Sequence, residues 1–534
     1  MKRRRKKNYL LTDILLAAAA VILTGCGAGG SGKQAMATME AGQAYATEAA
    51  GSEVPAGEGI SWSYEEAAAA EDDFVWEGVG MSEPPNTERY REIVENAFLS
   101  AENEPISTFG ADVDTASYAN IRKRILRGEK VNPNSVRIEE MINYFSYDYP
   151  EPEGDAPFSV TTEIGDCPWQ EGHQLLRIGL QAPKLDNDAL PPSNLVFLLD
   201  VSGSMKSEDK LPLVKRAFLL LTENLKPEDR ISIVTYASSD QILLEGASGR
   251  DMLNIMSTIE SLEAFGSTNG SAGILTAYEL AEKYFIPGGN NRVILATDGD
   301  FNVGMSSERE LFHLIENQRE KGVFLSVMGF GMGNIKDDNM EVLADSGNGN
   351  YAYIDDIAEA RKVLIEEMGG TLFTVAKDVK IQVEFNPAII KEYRLIGYEN
   401  RLMAARDFDD DQKDGGELGA GHRVTALYEL VPESGGDFDK PWLTVRLRYK
   451  APDGEESTLL EYPAGQEQMQ TELSADFSFA AGVAQTGMLL KGSEYSGTST
   501  YQDVITRLKA LPGITEDPYK EEFLYLLSKL NRSR

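Results

Sequence analysis

Leu195-Val196-Phe197-Leu198-Leu199-Asp200-Val201-Ser202-Gly203-Ser204 decides how this chain is read. Five apolar residues in a row suit a strand buried on both faces, as in a parallel sheet. The polar group after them falls at the strand's C-terminal end, the edge where open α/β sheets bind ligands. Asp200, Ser202 and Ser204 alternate, so a tight turn can aim all three at one centre, and Gly203 eases that turn. Outward from here the pattern continues. Leu211, Val214, Phe218, Leu221 and Leu225 recur at helical spacing, and 231–236 is a strand. Residues 252–262 and 274–284 are helices, strands at 293–296 and 323–328 enclose a helix over 308–321, and 351–354 is a last short strand. Such alternation predicts an α/β fold with a doubly wound parallel sheet.

Two more oxygen donors fall at matching edges. Thr268 lies in the Gly-rich loop Phe265-Gly266-Ser267-Thr268-Asn269-Gly270, ahead of a helix, and Asp298 lies in Thr297-Asp298-Gly299-Asp300, just after a strand. Hydroxyls, carboxylates and waters around one centre suit a hard divalent cation, Mg²⁺ first, with Mn²⁺ or Ca²⁺ as alternatives. The competing use of Asp200 and Ser204 is to cap a helix starting near Lys206.

Block 192–370, with Asp-x-Ser-x-Ser, Thr and Asp in this order, resembles a von Willebrand factor type A domain with a metal-ion-dependent adhesion site. The resemblance implies that Ser202 and Ser204 coordinate the metal directly, and Thr268 directly or through water. It implies that Asp200 and Asp298 act mainly through waters and that one position stays open for a ligand carboxylate.

Residues 90–191 hold a helix over 115–126 with Asp114 as its N-cap. A second helix starts at Pro133-Asn134-Ser135, and strands follow at 158–164 and 174–181. Residues 371–534 read as strands at 379–385, 393–398, 424–430 and 442–449, then a helical end over 475–530 broken at 492–497. Each set of strands is small for a β layer, and the ends of a compact domain usually lie close together. Both sets are therefore expected in one antiparallel β-sandwich with the type A domain inserted between them. Ser107-Thr108-Phe109-Gly110-Ala111-Asp112-Val113-Asp114, Arg137-Ile138-Glu139-Glu140-Met141-Ile142-Asn143-Tyr144-Phe145 and Tyr393-Arg394-Leu395-Ile396-Gly397-Tyr398-Glu399-Asn400 resemble the flanks of a bacterial lipoprotein group. That group carries signal, linker, N-terminal segment, type A domain and C-terminal domain in this order, and brings no assigned ligand or reaction.

The N-terminus fits that order. A basic cluster from Arg3 to Lys7, an apolar run over 14–23 and Leu23-Thr24-Gly25-Cys26 describe a secretory signal over 1–25. The cysteine after Leu-x-Gly resembles the bacterial lipobox, which implies cleavage before Cys26 and acylation of its thiol. Residues 26–89, rich in Ala, Gly, Glu and Ser, read as a tether with a reach on the order of 45 Å. The expected location is therefore the outer side of the cytoplasmic membrane, at the cell surface or in the periplasm.

Residues 1–25 carry six basic residues and one acid, so without them 45 basic residues face 85 acidic ones. That balance argues against nucleic acid or an anionic membrane surface as the main partner. Cys167 is then the only other cysteine, and three histidines leave little room for zinc or His-based catalysis. Cys167, beside Pro168 and Trp169, reads as a buried structural thiol, and His422 as a fold-bound histidine. The acidic run 407–417 has Gln412 where a calcium loop wants Gly, and reads as a solvated hairpin loop. With no nucleophile–base pair evident, an enzyme is not expected. The expected function is metal-dependent binding of a protein or other carboxylate-bearing ligand; the alternative is an assembly factor for an envelope complex using the same site.

Overall fold

The structure is a computed structural model, and it describes residues 88–534 other than 155, 186–189, 268–269, 300, 302–307, 368–369, 371–372, 414, 453 and 534. The signal, Cys26, the tether up to residue 87, Thr268 and Asp414 lie outside the described residues, while the tether's expected end, Glu88 and Arg89, is docked: Glu88 pairs with Arg124, and Arg89 pairs with Asp338 at 3.1 Å.

Ser193–Asp200 is buried at every position. It pairs in parallel with Arg230–Tyr236 on one side and with Asn290–Thr297 on the other. Val323–Phe330 and Tyr351–Ile354 extend the sheet beyond Asn290–Thr297, again in parallel. Asp240–Ser248 closes the opposite edge antiparallel to Arg230–Tyr236. This edge strand departs from the expected all-parallel sheet. It follows its neighbour through a short turn and is only partly buried, so its side chains alternate too weakly to announce a strand. The chain leaves the central strand first to one side and later to the other, so a crevice opens at its C-terminal end.

Alternate residues of the central strand serve opposite faces, as the strand period requires. Leu195, Phe197 and Leu199 pack with Val214, Phe218, Ile255 and Ile259. Val196 and Leu198 pack with Ile274, Tyr278, Ile315 and Met340 of the other helical layer. That layer contains Asp337–Ser346, an acid-rich helix that the apolar pattern does not reveal.

The flanks meet across this domain. Ser159–Asp166 and Gln174–Gln181 pair with each other, and Gln174–Gln181 pairs antiparallel with Arg423–Pro432. Ile106–Gly110 pairs with Thr374–Phe385, which continues to Leu443–Lys450 and Ser457–Ala464. Ile164, Leu176 and Ile178 of one sheet pack with Val379, Ile381, Val383 and Val445 of the other, so strands before and after the type A domain form one sandwich. A separate helical core joins Tyr118, Ile142 and Phe145 to Phe479, Phe523 and Leu527 of the C-terminal helices.

Two details differ from the sequence reading. Asp114 caps no helix: the first helix, Ala116–Arg127, has Thr115 at its N-cap. The Asp114 carboxylate instead accepts from the Tyr351 amide at 2.9 Å and from Arg401 at 3.4 Å, tying the flank to the last parallel strand. The second helix is split into a turn at Pro133–Ser135 and a helix at Ile138–Asn143. Between them the Ser117 hydroxyl donates to the Ser135 carbonyl at 2.7 Å and accepts from the Arg137 amide at 2.9 Å, which holds the chain extended.

Glu139 opens this second helix fully buried. The Tyr398 amide gives it little relief, and neither carboxylate oxygen has a well-formed hydrogen bond. Burial, with Glu399 and Glu140 nearby, pushes its carboxyl up to about 8. A carboxyl raised in the folded state withdraws stability as pH climbs from its ordinary value toward the raised one. Glu139→Gln should therefore stabilise the protein at about pH 8 by on the order of 3 kcal/mol, with the gain gone by about pH 4, where both states are protonated. Urea unfolding of both proteins at the two pH values checks this, and a gap that does not change with pH would refute it.

Candidate functional site

The site grows from the ends of two adjacent strands. Ser193–Asp200 ends in Asp200, and Asn290–Thr297 delivers Asp298 one residue past its end. Both carboxylates are buried, because the helical layers close over the sheet on both sides. The Asp200 carboxylate accepts from the Ser202 amide at 2.8 Å, a local turn that swings the chain back over the strand end. The Ser202 and Ser204 hydroxyls then lie 3.0 Å apart. Thr297 reaches Asp200 from the neighbouring strand at 3.5 Å.

The Gly-rich loop is docked onto the same turn. The Gly203 amide donates to the Gly266 carbonyl at 3.0 Å, and the Phe265 amide to the Val201 carbonyl at 2.8 Å. Gly203 eases the turn through close approach, since an added Cβ would fall 3.1 Å from the Gly266 carbonyl oxygen, while the positive φ falls at Gly266. Thr268, two residues further on, lies outside the described residues. Four of the five expected donors are thus placed by the structure. Asp200, Ser202 and Ser204 form one connected group, with Asp298 at the adjoining strand end. Helix capping is not their use: Ser202 stands at the N-cap of a short 3-10 turn, Gly203–Lys206, without a side-chain capping bond, and the α-helix beyond it starts at Leu211.

Sequence reasoning missed how Asp298 is held. Lys210 donates to its Oδ2 at 2.8 Å, and Asn334 donates to the same oxygen at 3.2 Å. Only folding brings these side chains onto Asp298. Gly299, with φ +107°, lets the loop press on the next segment: an added Cβ would fall 2.6 Å from the Asn334 carbonyl oxygen. Burial pushes the Asp200 carboxyl up to about 6; hydrogen bonds from Ser202 oppose this, and the charge of Asp298 adds to it.

Hydroxyl and carboxylate oxygens fit a hard cation and leave a soft metal without a preferred ligand. Among the described residues there is no cluster of three His, Cys, Asp or Glu arranged to hold a metal, so a cation here would need the serine oxygens as well. Two carboxylates and the Lys210 ammonium leave one net negative charge, which a divalent cation would turn into one positive charge. On the rim, Phe265 is 57% exposed.

The remaining candidates resolve as structural groups. The Cys167 thiol is buried and pushed up to about 12 by burial, while His173 pairs with Glu429 at 2.6 Å rather than with the thiol. Burial lowers His422 to about 4. In the acidic run, Asp409 and Asp411 pair with Arg448 at 2.9 and 3.4 Å, and Lys380 takes the Asp407 carbonyl at 3.2 Å. The run stays largely exposed, as expected of a solvated loop, while these contacts tie it to the sheet.

Comparison with known proteins agrees with this architecture. A model of the von Willebrand factor type A domain matches residues 194–366, and a further von Willebrand factor model matches 84–177. The model described as the C-terminal part of the uncharacterized protein YfbK matches 370–532. The uncharacterized protein YfbK of Escherichia coli is 41% identical over 467 residues, covering 83% of this chain and 81% of that protein. The inter-alpha-trypsin inhibitor heavy chain H3 of Pongo abelii is 26% identical over 251 residues, which is 44% of this chain and 28% of that one. Among solved structures, the von Willebrand factor type A protein from Catenulispora acidiphila aligns with a TM-score of 0.40 at 15% identity, over 72% of this chain and 97% of that chain. With its central domain matched as type A and its C-terminal part as that of YfbK, the chain belongs to the YfbK family of von Willebrand factor type A proteins, whose coarse functional class is interaction with other proteins.

Proposed function

We propose that this protein is an envelope lipoprotein that captures a protein ligand bearing an Asp or Glu carboxylate, through a divalent cation held by Asp200, Ser202, Ser204, Thr268 and Asp298. The observation that carries the reading is the pair of serine hydroxyls, 3.0 Å apart, at the C-terminal end of the central strand and beside buried Asp200. Mg²⁺ suits these donors best, with Mn²⁺ or Ca²⁺ as substitutes. When bound, the ion supplies an electrophilic centre for one further anionic oxygen. The chain's own groups set how strongly that oxygen is wanted. Lys210 neutralises part of the Asp298 charge, so the loaded site carries net positive charge and favours a carboxylate. Phe265 offers an apolar contact beside it. The acidic chain would repel an acidic partner at long range, so recognition is short-ranged and salt screens the repulsion.

Calorimetric titration of Mg²⁺ or Mn²⁺ into the full chain tests the ion. Asp200→Ala and Ser202→Ala should each weaken binding by at least about tenfold while the sheet stays folded, because both lie at or just past the C-terminal end of the central strand, outside its apolar core. Wild-type affinity should also fall by about tenfold between about pH 7 and about pH 5, as protons compete for the raised Asp200 carboxyl. Equal ion binding by wild type and Asp200→Ala would remove the site assignment. Chelator should abolish partner capture by the wild type; capture that survives chelation would leave the ion a structural role and end the adhesion reading.

The anchor is tested separately. Residues 1–25 act as the signal and 26–89 as the tether in this proposal, with Cys26 as the acylated residue. Cys26→Ser should lose acyl labelling and leave the membrane fraction. Intact mass of the mature chain with an unmodified Cys26 would contradict it.

A further inference from the structure

A second cavity, of about 500 Å³, opens between the Ile138–Asn143 helix, the Asp337–Ser346 helix and the turn at Glu399 and Asn400. Six carboxylates line it, from Glu139, Asp337, Asp338, Glu341, Asp345 and Glu399, against the guanidinium groups of Arg91 and Arg137. Five of the six have cationic partners. Asp337 and Glu341 pair with Arg137, Asp338 with Arg89, Asp345 with Arg401 and Glu399 with Lys491.

Glu139 differs from the other five. Its side chain is fully buried, it has no ion pair among the described residues, and both of its oxygens lack a well-formed hydrogen bond. In the empty cavity, burial holds this carboxyl mostly protonated near neutral pH, and a cation bound beside it would draw the proton off. Its surroundings add to the demand, since Glu399, Glu140 and Asp112 all raise its negative environment. Phe312, Met340 and Leu343 add apolar lining.

A metal ion is a poor match for this cavity. No three acidic groups among the described residues converge closely enough to hold one. The volume and the apolar walls suit a larger body carrying a single delocalised or alkyl-borne charge. We propose that this cavity binds an organic cation, an ammonium or guanidinium group on an apolar stem, with Glu139 as its counter-charge. A free amine and the Lys or Arg side chain of a partner share this chemistry. The site is separate from the metal-dependent one, although Gly299, next to Asp298, forms part of its wall.

Calorimetry on the full chain, with chelator present so that the cation site stays empty, tests the proposal. The probes are agmatine and a short, end-blocked peptide with one central arginine. Binding of either, weakened at least tenfold by Glu139→Gln, supports the proposal; the probe that binds tells a small amine from a protein side chain. Glu399→Gln, at the turn beside Glu139, gives the same reading if Glu139→Gln fails to fold, and circular dichroism reports that. No heat from either probe overturns the proposal, as does binding that both variants leave intact. It also falls if CaCl₂, titrated without chelator, gives heat that Glu139→Gln removes while neither organic probe binds.

Discussion

The structure depends on the pairing of Gln174–Gln181 with Arg423–Pro432. The two strands lie on opposite sides of the type A domain in sequence, yet they sit side by side in one sheet. Register joins Gln181 to Arg423 and Gln174 to Leu430, so the pairing runs the full length of the shorter strand. Neither flank holds enough strands to bury an apolar face alone. Pairing across the inserted domain closes a long loop, whose entropy grows only slowly with length, while the sandwich core repays it. Contacts of such long sequence separation slow folding.

Buried ion pairs then fix how the flanks sit on the inserted domain. Arg122 reaches Glu359 at 2.8 Å and also pairs with Asp355, Arg137 pairs with Asp337, and Arg401 meets Asp345 at 2.8 Å. Each joins a flank residue to one in the helices or loops of the type A domain. Taking such charges out of water offsets most of their attraction, so they add little net stability. Removing one partner is different: it strands a buried charge at a cost of about 3–5 kcal/mol. The pairs therefore select one docking geometry more than they strengthen it.

The two acid-rich regions show how the same residue type is put to opposite uses. At the strand ends, Asp200 accepts from the Ser202 amide, and Asp298 is held by Lys210 and Asn334, so both carboxylates are aimed and partly neutralised. At the second cavity, Glu139 lies among other carboxylates with no cation of its own. Hydrogen bonds from fixed donors make the first arrangement tolerable in a dry environment. The second keeps its electrostatic demand open.

The sequence by itself determined what depends on short range. Five apolar residues ending in Asp200-Val201-Ser202-Gly203-Ser204 specify a buried strand with donors at its edge, because strand period and turn chemistry act over a few residues. Asp298 was legible for the same reason, one residue past an apolar strand. The antiparallel edge Asp240–Ser248 was not, because a strand with one partner and a wet face leaves a weak pattern. Asp114 shows the limit most clearly: an acid just before a helix looks like a cap, and only the fold reveals that its oxygens go to Tyr351 and Arg401. Lys210 on Asp298 and the isolation of Glu139 were likewise decided by tertiary structure. Both depend on which distant side chains arrive within about 3 Å, and neither local propensity nor periodicity encodes that.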